Sequence, residues 1–326
     1  MLKMIKTKIS VFALVLVVSC SKPGPETIDL ELHETPIEPI KIGVILPFTG
    51  YEEGADAEQK GIDLAIALIN TRGGLKVNGQ HRMIAPFHRD SNLDPTVTLR
   101  VAEALINVDQ VSLLIGTIGD HIGSAVGSFA EQNKVLFLRP HGFPSRDHEP
   151  FQYYFGLNAT SESYGEVLAD ASAAFELKRW AILAPNYEFG QRTAAAFKQQ
   201  LRSHYPEIEF VYEQFYPLFK LDAGATVQAI KAKDIDGIFT VTFGTDNIKF
   251  LREGRARNLF EGVQVVSAIG GLPEELAVTK HETPEGWISL GYPYNEIDNS
   301  GHQAFLINFK KTYKEPPKFA SLLGYI

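Results

Sequence analysis

Cysteine is nearly absent from this chain of 326 residues: there is one, Cys20. A single thiol forms no internal disulfide, no zinc cluster and no CxxC redox pair. Positive charge is in deficit, with 31 Lys and Arg against 39 Asp and Glu and a formal net charge of −8. That balance offers no surface for nucleic acid or anionic lipid. Catalytic signatures are missing as well. There is no GxSxG elbow, no HExxH zinc site and no GxxxxGK[ST] phosphate loop. The histidines lack metal spacing; His81 and His88 are seven apart, which on a strand puts them on opposite faces. The chain is read as a non-enzyme with no cofactor and no metal.

What is present is a globular composition. Apolar residues make up 44%, charged 21% and aromatic 11%, which excludes a disordered tail, a coiled coil and a collagen-like repeat. At about 150 residues per domain the length suggests two domains.

Residues 1–19 read as an export signal. Lys3, Lys6 and Lys8 precede Ile9 to Val18, an apolar run of ten broken only by Ser10. This suits a signal core and is half the ~20 residues of a membrane span. The run closes Val17-Val18-Ser19-Cys20, which resembles a bacterial lipobox. That likeness implies lipidation of Cys20, cleavage before it and a body anchored to a bacterial membrane, periplasmic or at the cell surface. Loss of three lysines takes the formal charge to −11. Residues 20–39, with four prolines and five acids from Ser21 to Pro39, form an extended tether.

From Ile40 the pattern alternates. Strands are expected at Ile40–Phe48, Met83–His88, Val111–Ile115 and Val135–Leu138. Between them lie helices with Ile62, Ala65, Ile66 and Ile69 on one face, and with Val97, Val101, Ala104, Leu105 and Val108 on another. Asp94 before Pro95 reads as an N-cap, and Arg72-Gly73-Gly74 and Asn78-Gly79 as turns. The rhythm restarts near Glu162. Strands are expected at Trp180–Ala184, Glu209–Phe215, Gly237–Thr242, Val263–Ala268 and Gly286–Gly291, and helices carry Ala194, Phe197 and Leu201, then Thr226–Ala232 and Asp246–Arg257. A last complete helix carries Phe305, Phe309 and Tyr313. The expected class is α/β, two doubly wound parallel-sheet lobes with a hinge and a cleft between them.

Six segments in order carry a family likeness: IKIGVILPFTG (40–50), INTRGGLKVNGQHRM (69–83), HRDSNLDP (88–95), ILAPNYEFGQRTAAAFKQQL (182–201), EGWISLGYPY (285–294) and FKKTYKEPPKFASLLGY (309–325). Together they resemble the type I periplasmic binding proteins of the leucine/isoleucine/valine-binding branch. The resemblance implies an extracytoplasmic solute receptor that delivers a small polar ligand, an amino acid or a related compound with an anionic one among the options, to an ABC permease. Monomer is the expected state. It puts residues 40–157 and 293–326 in lobe one and 158–292 in lobe two. The family continues past the helix starting near Phe319 and returns to lobe two, whereas this chain stops at Ile326, so the last part of lobe one reads as truncated. The alternative reading is a lipoprotein that reuses the bilobal fold as a sensor or regulator of a membrane or cell-wall partner.

The chain departs from the family at the tips of its third and fourth strands, where serine or threonine is usual. Here they read Gly116-Thr117-Ile118-Gly119-Asp120-His121 and Arg139-Pro140-His141-Gly142-Phe143. Arg139 is either a fork for a ligand carboxylate or phosphate, or a salt-bridged strand end. Asp120 is either a ligand acceptor or a helix N-cap. His121 and His141 are either titratable ligand contacts or exposed loop residues, with Gly142 beside them. In lobe two, Tyr187, Phe189 and Phe243 are read as an aromatic wall or as packing, and Gly270 as a close-approach or turn glycine. Tyr51, after the first strand, completes the candidate ligand set.

Overall fold

The computed structural model describes residues 37–148 and 150–326; the export signal, Cys20 and most of the tether lie outside the described residues. Twelve strands are found at Ile40–Leu46 (β1), Leu75–Val77 (β2), Gln80–Arg82 (β3), Ile84–Asp90 (β4), Leu113–Gly116 (β5), Leu136–Arg139 (β6), Tyr154–Gly156 (β7), Arg179–Pro185 (β8), Glu209–Tyr216 (β9), Gly237–Thr240 (β10), Gln264–Gly271 (β11) and Ile288–Gly291 (β12). The ten α-helices are Glu52–Thr71 (α1), Pro95–Asn107 (α2), Asp120–Asn133 (α3), Ser161–Ala173 (α4), Glu188–His204 (α5), Ala223–Lys231 (α6), Gly244–Ala256 (α7), Pro273–Thr279 (α8), Ser300–Tyr313 (α9) and Phe319–Tyr325 (α10).

The strands form two five-stranded sheets, ordered β4-β1-β5-β6-β7 and β12-β11-β10-β8-β9. Every pairing within them is parallel. Counted within each sheet, both run 2-1-3-4-5, the doubly wound order whose direction of winding reverses between the first and third strands. In the first lobe that reversal lies between β1 and β5; in the second, between β8 and β10. The two halves thus repeat one architecture and point their carboxyl-terminal loops at a shared cleft.

Local chemistry accounts for the elements. Central strands such as β8 are covered on both faces and are apolar after the first residue, with Trp180, Ala181, Ile182, Leu183 and Ala184 all fully buried. The Asp94 carboxylate accepts from the Val97 amide at 2.8 Å, with Pro95 at the first helical position of α2. Gly61 lets α10 lie directly on α1, since a Cβ there would sit 2.1 Å from the Ser321 carbonyl oxygen. Phe305 and Phe309 pack with Leu64, so α9 also belongs to the first lobe.

One expectation is corrected, one turn is found as expected, and one helix is added. The buried residues of α2 are Thr98, Ala102 and Leu105, one position round from the predicted stripe, and Val108 is 79% exposed. Val108 is the C-cap, so the helix stops before it can turn that side chain inward. The Asn78-Gly79 turn joins two short strands, β2 and β3, in an antiparallel hairpin, with φ of 50° and 84° at its corner. Strand β11 runs on through the Gly270-Gly271 pair, read as a close-approach site or a turn, and helix α8, which the pattern did not mark, follows it.

Candidate functional site

A cavity of about 80 Å³ lies where the two reversal points face each other. Tyr51, after β1, and Ile118 to His121, after β5, supply one wall, with His141, Gly142 and Phe143 after β6. Tyr187, after β8, Phe219, after β9, and Phe243, after β10, supply the other, closed by Ile269 and Leu272 and by Glu274 and Glu275 of α8. A second, wider opening of about 380 Å³ shares Tyr51, His141, Phe219, Glu274 and Glu275 and leads out past Lys318.

Seven of the ten predicted ligand residues line the cavity: Tyr51, Asp120, His121, His141, Gly142, Tyr187 and Phe243. The other three do not. Arg139 is 1% exposed and bonds the Asp120 carboxylate at 2.5 Å, so its fork is spent inside the protein. Glycines flank it on two sides. A Cβ at Gly142, where φ is +88°, would sit 2.0 Å from Nη2, and one at Gly123 would sit 2.3 Å from Nε. Burial works against the Arg139 charge, but the Asp120 carboxylate outweighs it and the guanidinium is held more firmly protonated than usual. Phe189 is fully buried and stacks on Phe143 at 3.9 Å, serving as backing for the wall. Gly270 turns its amide to Ser267 Oγ at 3.0 Å, and its neighbour Ile269 faces the cavity instead.

Asp120 is also not a helix cap. Gly119 holds the N-cap position of α3, and the Asp120 carboxylate accepts from Arg139 and from the Phe143 amide at 2.8 Å. One carboxylate oxygen thereby ties the β5 loop to the β6 loop and sets the shape of the first wall.

The two histidines differ. His121 meets Tyr187 edge-on across the cleft at 6.4 Å, and burial lowers the pKa of its imidazole despite the nearby Asp120. His141 turns Nδ1 to the carboxylate of Glu58 at 3.3 Å. On the far wall, Glu275 accepts from the Gly244 amide at 2.8 Å and from Asn247 at 2.9 Å. Asn247 in turn accepts from Thr242. Burial raises the Glu275 pKa against those bonds. Burial likewise raises the Tyr51 and Tyr187 phenols, keeping both neutral donors.

Polar bridges run from one lobe to the other beside the cavity. Ser124 of α3 donates to Glu188 of α5 at 3.0 Å. Arg192 of α5 pairs with Asp147, and Arg146 forms a two-bond fork with Glu166 of α4 at 2.8 and 2.6 Å. At the other end, Glu274 accepts from the Phe319 amide at 3.2 Å.

Sequence reasoning missed Phe219, Glu274 and Glu275. The acids carried a signal: Pro273 followed by two glutamates is the composition of a helix start. Phe219 carried none, since its left-handed φ of +61° is set by the loop rather than by its type. Among the described residues, no group of three or more His, Cys, Asp or Glu is placed to hold a metal, and no helix is long and apolar enough to cross a membrane.

Comparison with known proteins places this arrangement. A family model described as periplasmic binding protein matches residues 39–326. The Leu/Ile/Val-binding protein of Escherichia coli K12 is 24% identical over 255 residues, covering 74% of this chain and 68% of the relative. A solute binding protein of an ABC transporter from R. palustris, solved with benzoate, superposes with a TM-score of 0.76 at 21% identity, covering 88% of this chain and 78% of that one. A branched-chain amino acid transporter substrate binding protein from Streptococcus pneumoniae, solved with isoleucine, gives 0.73 at 21%, covering 88% and 81%. At these identities the solved structures speak for the fold.

Proposed function

Since the chain belongs to the periplasmic binding protein family, we propose that it is the extracytoplasmic solute receptor of an ABC uptake system, held to the membrane by lipid on Cys20. The solute is a small organic acid with an aromatic or other apolar body. One observation carries this reading: Tyr51, Phe143, Tyr187, Phe219 and Phe243 line a cavity placed at both reversal points. Flat apolar walls favour a flat apolar ligand, and ring-on-ring contact adds about 0.5–1.5 kcal/mol per pair beyond area burial. The imidazoles of His121 and His141 lie on the first wall, in place of the hydroxyls usual in the branched-chain amino-acid branch, and the N–H of a neutral imidazole such as His121 suits an acid group. Among similar proteins of known structure, some were solved with benzoate or 4-hydroxybenzoate and one with isoleucine, so the fold accommodates either class.

The lobes stand close together. A cavity of about 80 Å³ is below the roughly 300 Å³ of an ordinary ligand pocket, and entry requires the lobes to part. That same tightness favours a second reading, a regulator of a membrane partner whose cleft takes no solute. Calorimetry and thermal shift on the mature protein, with benzoate, 4-hydroxybenzoate, leucine, isoleucine and valine, separate the two. Saturable benzoate-type binding supports uptake of an aromatic acid. Tighter binding of leucine would move the ligand to the amino acids, and silence across the panel would favour the regulator.

A further inference from the structure

Glu58 of α1 is fully buried behind the first wall, and neither carboxylate oxygen has a hydrogen-bond partner. Buried carboxylates are almost always satisfied, so an orphan of this kind calls for a reason. Asp120, on the same wall, shows the usual solution, an arginine and a backbone amide on one oxygen. Glu58 has neither. Its nearest ionisable neighbour is the His141 ring, with Nδ1 3.3 Å from Oε2. His141 Nδ1 is itself buried and otherwise without a partner. The chain is closed in behind this contact: Gly324 of α10 lies against the Glu58 backbone, where a Cβ would come within 2.4 Å of the Glu58 carbonyl oxygen. The His141 ring meanwhile lines both the cavity and the wider opening beside it.

We propose that Glu58 is a positioning residue for solute recognition: its carboxylate holds His141 in the Nδ1–H tautomer, which leaves Nε2 as an acceptor for a hydroxyl or other donor group on the body of the solute. An imidazole has two distinct nitrogens, and the partner of one decides what the other presents. Without a fixed partner the ring would sample both tautomers and two orientations, and a solute would have to select one. The contact is slightly longer than a formed hydrogen bond, as is common before a ligand tightens a site. Keeping a carboxylate unsatisfied in the core is unfavourable for folding, and that cost is retained where a site needs the group. The proposal rests on the solute reading above for the identity of the group at Nε2, and on the structure alone for the hold on His141.

The test uses the mature protein labelled with ¹⁵N at histidine, with 4-hydroxybenzoate as probe and benzoate, which lacks the hydroxyl, as control. The wild type is expected to show His141 protonated at Nδ1. In Glu58→Leu the His141 signal is expected to move to the ordinary Nε2–H form or a mixture, and the preference for 4-hydroxybenzoate over benzoate to fall by about tenfold, while the melting temperature holds or rises because an apolar side chain replaces a buried charge. A purely structural Glu58 would instead lose stability and leave the His141 nitrogens unchanged. Glu58→Met serves if the leucine does not fold. Unchanged His141 shifts in both variants, or an undiminished preference for 4-hydroxybenzoate over benzoate, overturn the proposal. If the wild type binds no acid in the panel, the solute reading fails, and the ¹⁵N measurement still decides whether Glu58 holds His141.

Discussion

The two walls of the cleft are built on one strand order and made rigid by different means. The first wall is tied by charge. Asp120 and Arg139 pair beneath it, wholly buried, and the glycines at 123 and 142 admit the guanidinium between two loops. The second wall is tied by rings. Tyr187 meets Phe243 at 6.5 Å, Phe243 meets Phe219 at 5.6 Å, and Phe189 fills in behind. A buried ion pair fixes geometry but punishes the loss of either partner, because the survivor is left charged and unsolvated. A ring cluster tolerates truncation with a local loss of contact. The first wall should therefore govern folding and the second affinity.

The largest effect should come from breaking the ion pair. Arg139→Ala leaves Asp120 buried with only the Phe143 amide, and should cost about 3–5 kcal/mol. Urea denaturation checks this. A loss below about 1 kcal/mol, the value of an exposed ion pair, would erase the contrast between the walls. Next comes Gly142→Ala. A left-handed φ of +88° and a Cβ 2.0 Å from Arg139 Nη2 leave no room for a side chain, and the cost should be about 2–3 kcal/mol. Gly270→Ala in the second lobe meets the Ser267 side chain, its hydroxyl at 2.6 Å and its Cβ at 3.1 Å, with no left-handed φ to strain; the hydroxyl can rotate away and the Cβ must give by a few tenths of an ångström. Its cost should be smaller, about 1 kcal/mol in the same denaturation series.

Phe243→Ala sharpens the comparison from the other side. The ring is half-buried, lines the cavity and touches Tyr187 and Phe219. Its loss should weaken benzoate binding by about tenfold while shifting the urea midpoint far less than Arg139→Ala does. Equal damage to fold and affinity would mean that the aromatic wall is core as much as contact surface.

The contrast also explains what the sequence made legible. Fold class followed from alternation, because strands like β1 and β8 carry their apolar runs in the open and α2 announces itself with Asp94 and Pro95. Residues at strand tips were found because parallel sheets put binding groups there. What failed was the partner of each group. Arg139 at a strand tip looks the same whether it meets solvent, a ligand or Asp120, and the bond that decides spans 19 residues. Glu58 was not singled out at all, although it lies on α1 four residues before Ile62 of the apolar stripe. Its burial comes from α10, more than 250 residues away in the chain, and no local pattern encodes that contact.

The smallest effect is the most direct probe of how the walls differ in charge. Burial holds the Glu275 carboxyl above its ordinary pKa of 4.5, against bonds from Gly244 and Asn247. The folded protein then binds this proton more tightly than the unfolded chain. Stability from this group is complete below about pH 4.5 and declines as pH rises through the raised value, by about 1.4 kcal/mol for each unit of the rise. Glu275→Gln has no such proton. The stability of wild type relative to this variant should therefore fall between pH 4 and pH 7, whatever the constant offset from altered hydrogen bonds, and melts across that range would show it. Benzoate should also bind the wild type more tightly at the acid end, where the second wall sheds a negative charge facing an anion. A difference that grows with pH would place Glu275 among groups stabilised by ionisation, and the second wall would then be tied by charge, as the first is.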